Sequence, residues 1–232
     1  MLFIPYGTDE ASPRRAFPYI NVFIVVANLI AFFVEYSVLA TQGEAAFERL
    51  VAHYSFIPNS LEGNFLQVGL LTSLFLHAGI VHIIGNMLYL LPFGDNVEDR
   101  LGPIRYLLFY LICGVAANLI FALFNRHSNV PLIGASGAIA GVLGGYLALH
   151  PTHSSVKGIV WIVIFFFRLR LPAILFIGYW FIMQLFNTVA TLGAANTVAS
   201  GGVAFLAHVG GFVVGLVLAP ILAKRNSQPA TR

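Results

Sequence analysis

An all-α membrane protein, with six transmembrane helices in one bundle, is the fold class this sequence predicts, and three observations carry it. Hydrophobic residues make up 59% of the chain and charged residues only 9%, against about 25% charge in an ordinary soluble domain. Mean hydropathy is +0.87. Six apolar stretches each approach the roughly 20 residues that a helix needs to cross a bilayer. Lysines and arginines divide very unequally between the two sides of those stretches.

The first stretch, Ile20 to Leu39, follows Arg14-Arg15 and Pro18 and has no small-residue cleavage site, so it reads as a retained span. The second runs from Leu76 to Phe93. The third, Tyr106 to Leu123, is opened by Pro103, and the fourth, Leu132 to His150, by Pro131. The fifth is Leu171 to Val189, beginning at Pro172, and the sixth is Gly201 to Ala223, stopped by a polar run. Between the fourth and fifth, Gly158 to Phe167 is equally apolar but too short before Arg168 to span comfortably. It is expected at the membrane interface, with a seven-span count as the competing reading.

Six spans with a cytoplasmic N-terminus put Arg14, Arg15, Arg100, Arg105, Lys157, Arg168, Arg170, Lys224, Arg225 and Arg232 inside and only Arg49 and Arg126 outside. A seventh span would carry Arg168, Arg170, Lys224 and Arg225 outward. The division is therefore a cytoplasmic tail (residues 1–17), a bundle (18–223) and a second cytoplasmic tail (224–232), with no room for another folded domain. The net charge of +3 fits orientation in an anionic bilayer rather than nucleic-acid binding. Without a targeting presequence, a prokaryotic cytoplasmic membrane is the expected location. Cys113, the single cysteine, sits in an apolar run and reads as core packing.

Direction of travel sets depth. The fourth stretch runs inward from near Pro131, so Ser136 lies about five residues in, roughly 7 to 8 Å. The sixth runs the same way from near Gly201, so His208 lies about seven residues in, roughly 10 Å. Small residues recur at helical spacing beside both: Gly137, Gly141 and Gly145 in the fourth stretch, Ala207, Gly211, Gly215 and Ala219 in the sixth. Such stripes let helices in lipid approach closely. If the stripes face each other, hydroxyl and imidazole meet at the top of a tight helix pair. The alternative is packing alone with an incidental serine and histidine, but an ionisable group inside a span points to function.

A serine hydroxyl needs a base to take its proton, and a histidine serves near neutral pH. The third member of a triad is a carboxylate that orients the histidine. Glu35 and Asp95, the only acids near a span, both read as lying toward cytoplasmic or interfacial ends. The expectation is a dyad, with His208 oriented by packing. An acyl-transfer site also needs donors for the oxyanion. His82 and Asn86, at i and i+4 on one face of the second stretch, offer a ring N–H and an amide. The Ser136 backbone N–H, near a helix start, offers a third. His77 reads as structural, bonding loop backbone ahead of the second span.

Taken together, His77, His82 and Asn86, then Gly134-Ala135-Ser136-Gly137, then Ala207-His208-Val209-Gly210-Gly211 with Gly215, resemble the rhomboid intramembrane serine proteases from Pro18 to Ala223. The resemblance implies Ser136 as nucleophile, His208 as general base, and His82, Asn86 and backbone N–H groups as oxyanion stabilisers. It further implies a water-filled cavity open to the outside and lateral access near the second and fifth spans. The implied substrates are single-pass membrane proteins cut near their outer ends, at small residues with helix-destabilising neighbours. No cofactor or metal is implied. One departure stands out: the external loop from Thr41 to Asn64 lacks a Trp-Arg pair found in some members. The run Gly94 to Gly102 resembles the family's cytoplasmic turn and is read here as a solvated capping and anchoring loop. Gly193 to Gly202, rich in small residues, reads as a mobile cap or an ordinary loop.

Rival chemistries fit less well. A zinc protease wants His-Glu-x-x-His on one helix, whereas His77 and His82 are five apart without the glutamate, and His150 and His153 flank Pro151 at a cytoplasmic end. An aspartyl protease needs two intramembrane aspartates, and Asp95 has no partner. The serious alternatives are a non-catalytic rhomboid-like protein that binds membrane clients, and a transporter or lipid-binding bundle. The former usually lacks nucleophile or base; both are present here.

Overall fold

The structure, a computed structural model, describes residues 2–9, 16–62, 68–150, 154–162, 165–193 and 204–223. Arg14, Arg15, His153, Lys224, Arg225, Arg232 and most of the candidate cap between Gly193 and Gly202 lie outside the described residues. The chain is mostly helical, as its composition predicts. Helix α1 (Tyr19–Gln42) starts directly after Pro18 and ends at Gly43, whose φ of 81° closes it. Its Asn21, Ile24, Asn28 and Glu35 are buried along one side, while Phe23, Ile30 and Phe33 are exposed outward. A helix with polar groups inward and large apolar groups outward is built for lipid. Helix α2 (Glu44–Tyr54) follows with no buried residue. A short turn (Pro58–Glu62) and a one-turn helix α3 (Gly69–Thr72) then lead into α4 (Ile80–Leu101).

After α4 come α5 (Pro103–Phe124), α6 (Ser136–Leu149), α7 (Ala173–Gly193) and α8 (Phe205–Leu222). Helices α1, α5 and α8 are each long and apolar enough to cross a bilayer, and Gly69–Phe75 with α4 does so as a pair bent by 91°. Helix α6 is different. Its 14 residues rise only about 21 Å, against a hydrocarbon core of about 30 Å. The apolar stretch from Leu132 to His150 is thus helical only from Ser136 onward. Its beginning is extended: Leu132 exchanges backbone hydrogen bonds with Phe56, at 3.1 and 2.8 Å. What α6 lacks in length it recovers in burial, for it is enclosed by α4, α5 and α8 and every residue from Gly137 to Tyr146 is buried.

Two expectations are overturned. The bundle is not purely α-helical: β1 (Leu2–Asp9), β2 (Ser155–Ile162) and β3 (Phe165–Pro172) form an antiparallel sheet in the order β1-β2-β3. Asp9 pairs with Ser155 and Leu2 with Trp161, while Ser155 pairs with Pro172. The segment Gly158 to Phe167, too short for a helical span, is long enough for strands. Its β-branched run suits a pleated surface with one side buried, and Val156 and Val160 supply that side. Residues 2–9, assigned to a tail, are the sheet's first strand. Asp9 is salt-bridged to Lys157 and, at 3.3 Å, to Arg170.

Nor is Gly94 to Gly102 a solvated loop. Helix α4 continues to Leu101, and Gly94, Asn96, Val97, Glu98 and Leu101 are buried. The polar residues serve a neighbouring helix. Tyr19 to Asn21 lack a cap of their own, and Glu98 accepts the Ile20 and Asn21 backbone N–H groups at 3.1 and 2.7 Å. Asp99 accepts that of Ala16 at 3.3 Å. The Ile20 and Asn21 groups are first-turn donors that a helix cannot satisfy internally, and the Glu98 carboxylate also complements the positive end of the α1 dipole. Asn21 in turn donates to the Leu90 and Leu91 carbonyls at 3.2 and 3.3 Å and accepts from Tyr106 at 2.8 Å. This end of the bundle also holds the start of α5 beside the end of α8, where Arg105 donates to the Leu222 carbonyl at 3.0 Å.

Candidate active site

At the opposite end, α6 and α8 meet through backbone. A Cβ on Gly211 would strike the Gly137 carbonyl, and one on Gly215 would lie 2.5 Å from the Gly141 carbonyl carbon. The α8 stripe faces α6, as its spacing predicts, and meets it at the Gly137 and Gly141 carbonyls. The side-chain directions of Gly137 and Gly141 point elsewhere, onto Ala117 and Cys113 of α5. One helix with no side chains in the way therefore packs closely on two neighbours.

The seam carries a pair at its top. Ser136, the first residue of α6, places Oγ 2.8 Å from Nε2 of His208, in the first turn of α8. Ser136 stands at a helix start, as expected for its backbone N–H, which has no helical acceptor there. The approach to it is fixed by three contacts. Gly134 donates its N–H to the Ser73 carbonyl at 2.8 Å, Leu132 is paired with Phe56, and Asn118 of α5 donates to Ser73 Oγ at 3.0 Å. Gly134 has φ of 121°, a region that disfavours any side chain, and a Cβ there would sit 2.8 Å from His82 Nε2 and 3.7 Å from Ser136 Oγ. The missing side chain is the gap through which the His82 ring reaches the nucleophile's loop.

His82 and Asn86 stand one turn apart on α4, the first half-buried and the second buried. Asn86 Nδ2 lies 2.9 Å from His77 Nε2, and His77 Nδ1 lies 3.1 Å from the Phe75 carbonyl. His77 therefore donates to loop backbone, as expected of it, and accepts one of the two Asn86 amide protons. Among the described residues the other has no acceptor. The His77 and His82 rings meet edge to face, 5.0 Å between centroids.

Three groups differ from their sequence assignment or escaped it. Glu35, assigned to an end of its span, is only 2% exposed, and both of its carboxylate oxygens lie 3.1 Å from the His77 backbone nitrogen. It anchors the residue that holds Asn86. His208 is oriented by more than packing: Nδ1 is 2.9 Å from Oε1 of Gln184 on α7. Trp180, one turn earlier on α7, stacks on the His208 ring at 6.1 Å and 29°. An amide in the apolar run from Ala173, at i+4 from a tryptophan, was the available signal. Asp95 is remote from the pair, lying beside Asn96 at the opposite end of the bundle.

An integral membrane protein with a serine and a histidine in hydrogen-bond contact on adjoining helices is the class these features define. The chain belongs to the rhomboid family: the Rhomboid domain model matches residues 66–225. It is similar to RHOMBOID-like protein 4 of Arabidopsis thaliana, 35% identical over 67% of this chain and 34% of that protein. It is also similar to the rhomboid protease GluP of Bacillus subtilis (strain 168), 33% identical over 60% of this chain and 26% of that one. The Inactive RHOMBOID-like protein 8 of Arabidopsis thaliana shares 34% identity over 34% of this chain and 22% of its own length. The match thus spans about a third or less of these relatives' lengths.

Proposed function

We propose that this protein is an intramembrane serine endopeptidase that cleaves single-pass membrane proteins near the outer membrane face. The observation that carries the reading is the 2.8 Å contact between Ser136 Oγ and His208 Nε2. In this reaction Ser136 Oγ attacks the scissile carbonyl carbon while its proton passes to His208 Nε2. The C–N bond then breaks and His208 returns the proton to the departing amine, leaving an acyl-enzyme. Water, deprotonated by His208, attacks the ester and releases Ser136 with the second product. The Ser136 backbone N–H, the free Asn86 amide proton and the His82 ring are the candidate oxyanion donors.

The six-span topology belongs to the same proposal. Helix α6, shorter than a full span by itself, crosses together with the extended segment before it, α7 is long enough to cross with its 21 residues, and both termini lie in the cytoplasm on the charge split given above. The reading also rests on a rhomboid protease among the relatives. A non-catalytic client-binding role is the second reading, because an inactive protein is among them too. Ser136→Ala decides between the two. The variant should fold, fail to cleave a single-pass substrate in proteoliposomes, and lose labelling by a fluorophosphonate probe that modifies the native protein. Retained cleavage overturns the assignment; a native protein that neither cleaves nor labels supports the binding role.

A further inference from the structure

We propose that Gln184 is a positioning residue for the dyad, its side-chain carbonyl on α7 standing where a triad would have a carboxylate and fixing the tautomer of His208 that can act as base. This rests on the protease reading above. The argument begins with proton placement. For Nε2 to take the Ser136 proton it must be bare, so the neutral ring carries its hydrogen on Nδ1. Both His208 and Gln184 are buried, 7% and 8% exposed, so an Nδ1–H there needs an acceptor within the protein. Gln184 Oε1, at 2.9 Å, is that acceptor.

An amide does this conditionally. With its oxygen toward Nδ1 it selects the productive tautomer; with its NH₂ group there it would force hydrogen onto Nε2 and turn His208 into a donor toward Ser136. The backbone carries Gln184 in a fixed place: its carbonyl accepts from Thr188 Oγ1 at 2.8 Å. Trp180, at i−4 on the same face of α7, covers the ring. Unlike a carboxylate, the amide brings no charge, so it sets orientation and tautomer and leaves the imidazolium without a counter-ion. Among the described residues, the other groups set against His208 supply none either: Ser136 from α6, Phe205 on its own helix, and the neutral ring partner His82 from α4.

The test compares Gln184→Met, which keeps the length and removes the acceptor, with Gln184→Glu, which keeps an acceptor and adds charge. Both are reconstituted with a single-pass substrate, and probe labelling is followed against pH. Gln184→Met should lower kcat on the order of 10- to 1,000-fold with KM little changed, less than the roughly 10⁴-fold known for a wrong-tautomer triad. Gln184→Glu should recover much of that loss, and its labelling profile should have an acid limb moved to higher pH, because a carboxylate favours the charged ring. A folded Gln184→Met with native kcat overturns the proposal, as does a Gln184→Glu variant with an unmoved acid limb; if the Met variant fails to fold, the acid limb alone decides. Ser136→Ala is run alongside. Cleavage surviving in it sinks the protease reading itself, whereas a dead Ser136→Ala beside a fully active Gln184→Met sinks only the role of Gln184.

Discussion

Replacing Gly215 by alanine tests whether the α6–α8 seam sets the distance between nucleophile and base. The new Cβ would strike the Gly141 carbonyl oxygen and lie 2.5 Å from its carbon and 2.6 Å from the Cα, at least 0.9 Å short of the 3.4 Å at which ordinary contact begins. Backbone on both sides leaves no flexible side chain to yield, so the helices must part. Transmitted up the seam, that shift stretches the 2.8 Å Ser136–His208 contact to about 3.7 Å, outside hydrogen-bonding range. A misplacement of about 1 Å costs on the order of 10²-fold in rate, equivalent to about 2.7 kcal/mol of barrier. Overpacking should also lower stability by about 1–3 kcal/mol. The assay is turnover in proteoliposomes together with thermal unfolding in detergent, with Gly178→Ala on α7 as control, since a Cβ there meets nothing within 4 Å. Native turnover and unchanged unfolding for Gly215→Ala would refute the reasoning.

Three further outcomes follow from the same geometry. Asn86→Ala should lower turnover about 10- to 1,000-fold, less than Ser136→Ala does; unchanged turnover would assign Asn86 to packing. Glu35→Leu removes the acceptor for the His77 N–H and should lower turnover more than Glu35→Gln, which keeps one oxygen; equal kcat for the two would show that the anchor is dispensable. Finally, Lys157, through its hydrogen bond to Asp9 and then its charge, aided by Arg170, holds the Asp9 carboxyl below the usual carboxylate range. Its contribution to β1 pairing is complete above the ordinary aspartate pKa of about 3.9 and is lost as pH falls through the lowered value. Amide protection of Leu2–Asp9, relative to intrinsic exchange rates at each pH, should fall in Asp9→Asn at neutral pH, and the loss of protection expected of the native protein on acidification should be smaller in that variant.

What could be read from the sequence was local. A four-residue period of small residues states which helix faces can approach, so the meeting of Gly137 and Gly141 with Gly211 and Gly215 was legible, and Ser136 and His208 came with it. What could not be read was non-local or degenerate in composition. Glu98 and Asp99 look like loop residues because the N–H groups they serve lie at the start of α1. Gln184 is one amide in an apolar run, and its partner is 24 residues further on. Glu35 could not be assigned to the catalytic end without knowing that the His77 backbone turns toward it. The sheet was hidden for another reason: Gly158 to Phe167 is as apolar as a span, and only its pairing with Leu2–Asp9 and Phe165–Pro172 distinguishes strand from helix.

The debt of α1 to Glu98 also orders events during synthesis. Asn21 leaves the ribosome first, and the carboxylate that accepts its N–H is 77 residues behind. Until α4 arrives, the leading end of the first helix has only interfacial water to satisfy it, and Asn21 has no Leu90 or Leu91 carbonyl to serve. Helices α1 and α4 therefore complete each other: the start of α1 has its Glu98 acceptor, and Asn21 its Leu90 and Leu91 carbonyls, only when both are in place.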